Sequence, residues 1–189
     1  MNPPRIAVVV GSPSERSRTR VLAQSLVDAL QLAVPLQAQW LELHRLAPHL
    51  VASCHADDLG AVGREALSTI AKADLVLAAS PVYKGSYSGL FKHLFDLLPP
   101  EALVNKPVLL AASGGSDRHA LVVDHQLRPL FAFFRAQTVP SGVYAADADF
   151  DGQRITSAAL EQRIAEAAGQ AAALLRLRGH AAPLLRQAA

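Results

Sequence analysis

Three short segments, residues 6–10, 74–80 and 107–112, whose interiors are unbroken aliphatic runs, constrain the fold of this chain more than any other feature of it. A strand with one wet face alternates apolar and polar residues, whereas a run without that alternation has both faces covered. Each run ends in a segment rich in Gly, Ser or Pro, and helical spacing resumes beyond it. Residues 17–32 place Val21, Leu22, Ser25, Leu26, Ala29 and Leu30 on one helical face. Leu36, Ala38, Trp40 and Leu41 alternate with Gln37 and Gln39, which predicts a flatter strand nearer an edge. Residues 44–57, with Pro48, read as a loop, and 58–72 as the helix leading into the 74–80 strand. Further helices are expected from Gly89 to about Leu98, over 119–135 and, Ala-rich, over 157–178, with a fifth strand at about 137–144.

Strands alternating with helices in this way argue for an α/β three-layer sandwich around a five-stranded parallel sheet with right-handed crossovers. In the flavodoxin-like order 2-1-3-4-5, ligands bind beyond the carboxyl ends of the strands, where the winding direction reverses. The ends of the first, third and fourth strands carry the three segments with chemistry in them. The first is Gly11-Ser12-Pro13-Ser14-Glu15-Arg16-Ser17-Arg18-Thr19-Arg20. A buried strand that breaks into hydroxyls and arginines and then opens a helix suits a phosphate, because the first N–H groups of a helix are unpaired and its dipole is positive there. Ser12, Ser17 and Thr19 offer hydroxyls, and Arg16 or Arg18 a full charge. Neither a P-loop nor G-x-G-x-x-G is present, so the expected ligand is a terminal phosphate of a mononucleotide such as FMN.

Composition narrows the class. The formal net charge is +2, with Lys and Arg dispersed along the chain, which argues against nucleic acid as a partner. The lone cysteine, Cys54, excludes an internal disulfide and fits a reducing cytoplasm. No signal peptide is expected from the short apolar run after Arg5, and no run reaches membrane-spanning length. His44, His49, Cys54 and His55 cluster without zinc-ligand spacing, so no metal site is expected. One domain over 1–180 is predicted, with a short tail at 181–189.

Taken together, three motifs resemble the NAD(P)H-dependent FMN reductase family over roughly residues 5–178. Gly11, Ser12 and Ser17 match its phosphate loop, where Ser14 stands in the place of the usual Arg. Pro81, Tyr83, Gly89 and Lys92 match its ring loop, where Lys84 replaces the usual Asn and Ser88 the usual Pro. Ser113-Gly114-Gly115-Ser116 matches its third loop. The resemblance implies hydride transfer from NADPH or NADH to FMN. It implies phosphate contacts at Ser12, Ser14, Arg16, Ser17, Arg18 and Thr19. Flavin contacts are implied at Pro81, Val82, Tyr83, Lys84, Gly85, Ser113, Gly114, Gly115, Ser116 and His119. The run Ser-Pro-Val-Tyr-Lys and the segment His119–Pro129 are similar to reductases that supply reduced FMN to alkanesulfonate and methanesulfonate monooxygenases. Members of that subgroup carry an inserted residue that widens this helix into a π-bulge, and His125 aligns with it. The family is commonly dimeric or tetrameric. An FMN-retaining quinone, azo or metal-ion reductase shares the same loops and is the alternative.

Individual residues keep simpler readings too. Backbone N–H groups of 82–85 and 114–116 are expected to face the polar edge of the flavin. No catalytic acid or base is expected, because the flavin supplies the chemistry; Lys84 either assists electrostatically, contacts nicotinamide phosphates, or is a solvated lysine. Tyr87 fits either the flavin or a subunit contact. Lys92 and Asp96 read as a surface ion pair, and Phe131, Phe133 and Phe134 as core or core plus interface.

Overall fold

The computed structural model describes residues 3–186, with side chains through Arg178. β1 (Arg5–Val10), β2 (Gln37–Glu42), β3 (Leu75–Pro81) and β4 (Pro107–Gly114) run parallel in the order β2-β1-β3-β4. Alternate residues of the three central strands enter two separate cores. Ala7, Val9, Val76, Ala78, Val108 and Leu110 enter one, and Ile6, Val8, Leu75, Leu77 and Leu109 the other. That is why these runs carry no polar alternation. β2, at the edge, keeps every second residue more exposed.

The second core is closed by α1 (Arg18–Ala33) and by the last helix of the chain. The buried face of α1 is Leu22, Ala23, Leu26, Val27 and Leu30, rotated from the expected one toward Ala23 and Val27. After β2 the predicted loop contains a one-turn helix, α2 (Leu43–Leu46), and two 3₁₀ turns. The first core is covered by α3 (Ala61–Lys72), α4 (Gly89–Asp96) and α5 (Arg128–Phe133). Phe91, Phe95 and Phe131 are fully buried there and stack in sequence, with centroids 4.8 and 4.9 Å apart. Each such ring contributes roughly 1.5–3 kcal/mol by leaving water. Phe134 joins them, whereas Phe133 is 67% exposed. Lys92 and Asp96 pair on the surface as expected.

Two predicted elements are divided. The helix expected over 119–135 opens as a 3₁₀ turn (Asp117–His119), passes through a π-helical segment (Val123–Leu127) centred on His125, and becomes α-helical only at Arg128. The expected fifth strand is two short ones, β5 (Gln137–Thr138) and β6 (Val143–Ala146), both paired with β4. Pro140 has no N–H to give a ladder, and the approach of Val123 to Gly142 leaves no room for a side chain there. Arg128 covers the break by donating to the carbonyls of Val139 and Pro140, each at 3.1 Å. A small antiparallel hairpin, β7 (Phe150–Asp151) and β8 (Arg154–Ile155), follows, and α6 (Ala158–Arg186) closes the chain. The helix therefore runs into the segment read as a tail, of which 187–189 lie outside the described residues. No helix among the described residues is long and apolar enough to cross a membrane.

Candidate active site

The order β2-β1-β3-β4 brings the ends of β1, β3 and β4 side by side, and with them the three loops marked in the sequence. Loop one leaves β1 at Gly11, whose N–H donates to the Ala79 carbonyl at 2.7 Å. A Cβ at Gly11 would lie 2.8 Å from Phe91 Cδ2, so only glycine lets the loop rest on α4. The Ser12 hydroxyl is buried and closes the loop on itself, accepting from the Ser14 N–H at 3.1 Å and donating to its carbonyl at 3.2 Å. Ser17 caps α1 by accepting from the Arg20 N–H. Between these two anchors, the N–H groups of residues 15–19 have no partner among the described residues. Arg16 is exposed and unpaired beside them. Free amides, a helix start and a cation form a cradle for a phosphate.

Two of the residues expected to line that cradle do other work. Thr19 Oγ1 and Ser113 Oγ are buried and bonded to each other at 2.7 Å, which braces α1 against the end of β4. The Arg18 guanidinium is held by Asp147 at 2.7 Å and lies 5.8 Å from the Phe150 ring, so its charge is committed to the hairpin side.

Loop two is a tight hairpin. Tyr83 and Ser86 exchange backbone hydrogen bonds at 2.8 and 3.1 Å around Lys84 (φ 52°) and Gly85 (φ 83°), the positive-φ pair of a type I′ turn. A lysine in the left-handed region is uncommon. The Val82 N–H is spent on the Ser113 carbonyl and the Tyr83 N–H on Ser86, so of the amides 82–85 only those of Lys84 and Gly85 are free. Pro81 is buried within β3, while the Tyr83 side chain is 49% exposed over the loops. The Ser86 hydroxyl donates to Gln126, which ties this hairpin to the π-helical segment.

Loop three begins at Gly114, the last residue of β4, and leaves the Gly115 and Ser116 N–H groups unpaired. Its shape depends on Tyr144 of β6, whose hydroxyl donates to the Ser116 carbonyl at 2.6 Å. Gly114 makes room for that phenol, since a Cβ there would lie 2.5 Å from Tyr144 Oη. Burial, then the carboxylates of Asp117, Asp147 and Asp149, push the phenol's pKa above its ordinary value. His119 is exposed on the 3₁₀ turn beyond the loop.

Ser88 was legible in the sequence only as a departure from a motif. Its hydroxyl accepts from the Phe91 N–H as the cap of α4 and donates to the Gly11 carbonyl at 2.7 Å, joining loops one and two. A serine just before a helical run was the available signal. Tyr144 had none, because its partner lies in another loop. An open cleft of about 460 Å³ lies between α1 and the β7–β8 hairpin, lined by Arg20, at the end of the first segment, with Gln24, Gln153 and Arg154 among others, and includes no residue of loops two and three.

A family model described as NADPH-dependent FMN reductase matches residues 4–151. The chain belongs to that family. It is 50% identical over 173 residues to "FMN reductase (NADPH)" of Pseudomonas aeruginosa, covering 92% of this chain and 93% of that one. With "NADH-dependent FMN reductase SfnF" of Pseudomonas fluorescens it shares 48% identity over 184 residues, 97% of each chain. An oxidoreductase structure from Corynebacterium diphtheriae superposes with a TM-score of 0.84 at 38% identity, covering 92% of this chain and 97% of that one. In this family member, the three convergent loops carry free amides but no buried titratable side chain. Position and electrostatics, rather than proton transfer, are what they can supply.

Proposed function

We propose that this protein reduces FMN with NADPH or NADH and delivers the reduced flavin to a separate monooxygenase, in sulfonate-related sulfur metabolism. The observation that carries the reading is the amide cradle of residues 15–19, set one strand away from the free amides of loop two. FMN, when bound, would supply the acceptor for the hydride of NADPH or NADH, and the protein's part is to hold the two nucleotides and stabilise charge. The amides of residues 15–19, the Ser14 and Ser17 hydroxyls and Arg16 hold the flavin phosphate. The Lys84, Gly85, Gly115 and Ser116 N–H groups face the polar edge of the ring, where preorganised donors favour the negative charge that develops on reduction. The Tyr83 side chain covers the ring. Ser12, Thr19, Pro81, Val82, Ser113 and Gly114 shape these loops rather than touch the ligand.

Use of FMN as the substrate is supported by the SfnF and SfnE relatives, NADH-dependent FMN reductases at 48% and 44% identity, and delivery to a monooxygenase by the resemblance carried by Ser-Pro-Val-Tyr-Lys and His119–Pro129. A homo-oligomer, dimer or tetramer, accounts for Leu121, 64% exposed in the turn before the π-helical segment, and Phe133, 67% exposed at the end of α5. The cytoplasm is the expected compartment.

The test is anaerobic. Catalytic protein is mixed with excess free FMN and NADPH or NADH, and the flavin absorbance is followed. Bleaching of many equivalents of FMN supports delivery of a released flavin. Reduction of a single bound equivalent, with fast turnover of an added quinone, moves the protein to the flavin-retaining reductases. No reduction by either nucleotide overturns both.

A further inference from the structure

The cations around the sheet fall into two groups. Arg18, Arg20, Arg45 and Arg128 are held by carboxylates, and Lys106 by backbone carbonyls. By contrast, each of the three loops presents one exposed cation without a partner among the described residues: Arg16 on loop one, Lys84 on loop two and Arg118 on loop three. Of the other cations without a partner among the described residues, Lys72 and Arg135 precede β3 and β5 and so sit at the other end of the strands, and Arg154 lies on the β7–β8 hairpin.

One anion does not account for three cations placed this way. Neighbouring strands are about 4.8 Å apart, so loops one and three, with β3 between them, start about 10 Å apart. An FMN phosphate seated among the free amides of residues 15–19 has Arg16 beside it as its cation. The second nucleotide must bring its nicotinamide to about 3.5 Å from the flavin ring, over loops two and three, and its own phosphates come with it. Arg118 stands on that side with its guanidinium uncommitted; Asp117 precedes it without forming an ion pair. Lys84 is held at the tip of a hairpin by a backbone conformation that lysine seldom adopts.

We propose that Arg118, together with Lys84 on the adjacent loop, contacts the phosphate groups of the nicotinamide dinucleotide. The assignment rests on the reductase reading above and names the residues that recognise its second substrate. It separates the two nucleotides by loop: Arg16 serves the flavin phosphate, Arg118 and Lys84 the dinucleotide.

Steady-state kinetics of R118Q, K84N and the double variant test this, with R135Q as a control for loss of a remote charge. Asn suits the positive φ at position 84 and removes the charge. The KM for NADPH or NADH should rise about tenfold in R118Q and further in the double variant, as expected for loss of a charged hydrogen bond. In R118Q the FMN KM and kcat should stay within about twofold, and R135Q should match the parent. The rise in dinucleotide KM with added salt should be shallower in the double variant. An unchanged dinucleotide KM in the double variant, or an FMN KM that rises in parallel in R118Q, overturns the assignment. Titration calorimetry with ADP-ribose 2′-phosphate separates this from the reductase reading. If the parent protein reduces no FMN, the activity fails, yet loss of this binding in R118Q still supports the contact. Binding equal in parent and variant, or none in the parent, overturns it.

Discussion

The buried hydroxyl pair of Thr19 and Ser113 is where the structure makes its most quantitative demand. The oxygens are 2.7 Å apart, with Thr19 only 1% and Ser113 6% exposed. Thr19→Val leaves the Ser113 hydroxyl buried without its partner, and Ser113→Ala does the same to Thr19. Each single change should cost about 1–2 kcal/mol, mostly the desolvation of the group left behind. In the double variant no hydroxyl remains to be desolvated, and Val fills nearly the volume of Thr at a similar helix propensity. It should be no less stable than either single variant, which corresponds to a coupling of about 1 kcal/mol. Urea denaturation of the four proteins without ligand reads this directly, provided the m-values agree. The pair also ties the start of α1 to the end of β4, so both single variants should raise the FMN KM. Strictly additive losses, with coupling under about 0.3 kcal/mol, would refute the reasoning and mean that the hydroxyls find water once parted.

Gly11→Ala should destabilise the fold by about 1–3 kcal/mol and weaken FMN binding, since the new methyl meets Phe91 and the Ala79 carbonyl; a melting curve without the expected drop would show that α4 gives way. Ser88→Ala removes a helix cap and the tie to Gly11 together, with an expected loss of about 1–2 kcal/mol by denaturant titration. Tyr144→Phe should raise the FMN KM about threefold or more while costing about 1 kcal/mol, because only the hydroxyl that fixes loop three is lost. Lys106 gives a pH signature. Burial, then the charge of Arg178, pushes its ammonium down to about 8, although it donates to the Ala71 and Ala73 carbonyls at 2.8 and 2.6 Å. Between pH 8 and 10 the unfolded chain holds the proton that the folded one releases, so this group makes stability rise with pH. Denaturation of the parent minus Lys106→Met should show a gain of about 1–2 kcal/mol across that window, and a flat difference would contradict it.

How much of this was legible beforehand depended on distance along the chain. The apolar runs at 6–10, 74–80 and 107–112 announced two-faced burial, and their alternate residues do feed separate cores. The edge strand was marked by Gln37 and Gln39, and the three loops by their glycines and serines. The fifth strand was read as continuous because Val139 and Val143 keep the apolar pattern; its break at Pro140 is stabilised by Arg128, which no local pattern foretells. The π-helical turn at Val123–Leu127 agrees with the expectation drawn from resemblance and has no signature in periodicity.

The alternation of strands and helices therefore came from the sequence alone, because it follows from periods of two and of 3.6 residues, and the order 2-1-3-4-5, expected from the chemistry at the strand ends, is the order observed. Which polar group is free at those strand ends did not come from the sequence. Thr19 and Ser113 are 94 residues apart, Ser88 and Gly11 77, and Arg18 and Asp147 129. A hydroxyl or guanidinium in a loop reads as a ligand contact until a distant partner claims it. Only the packed sheet, by laying strand ends beside one another, set Arg18 against Asp147 and left Arg16 without a partner among the described residues.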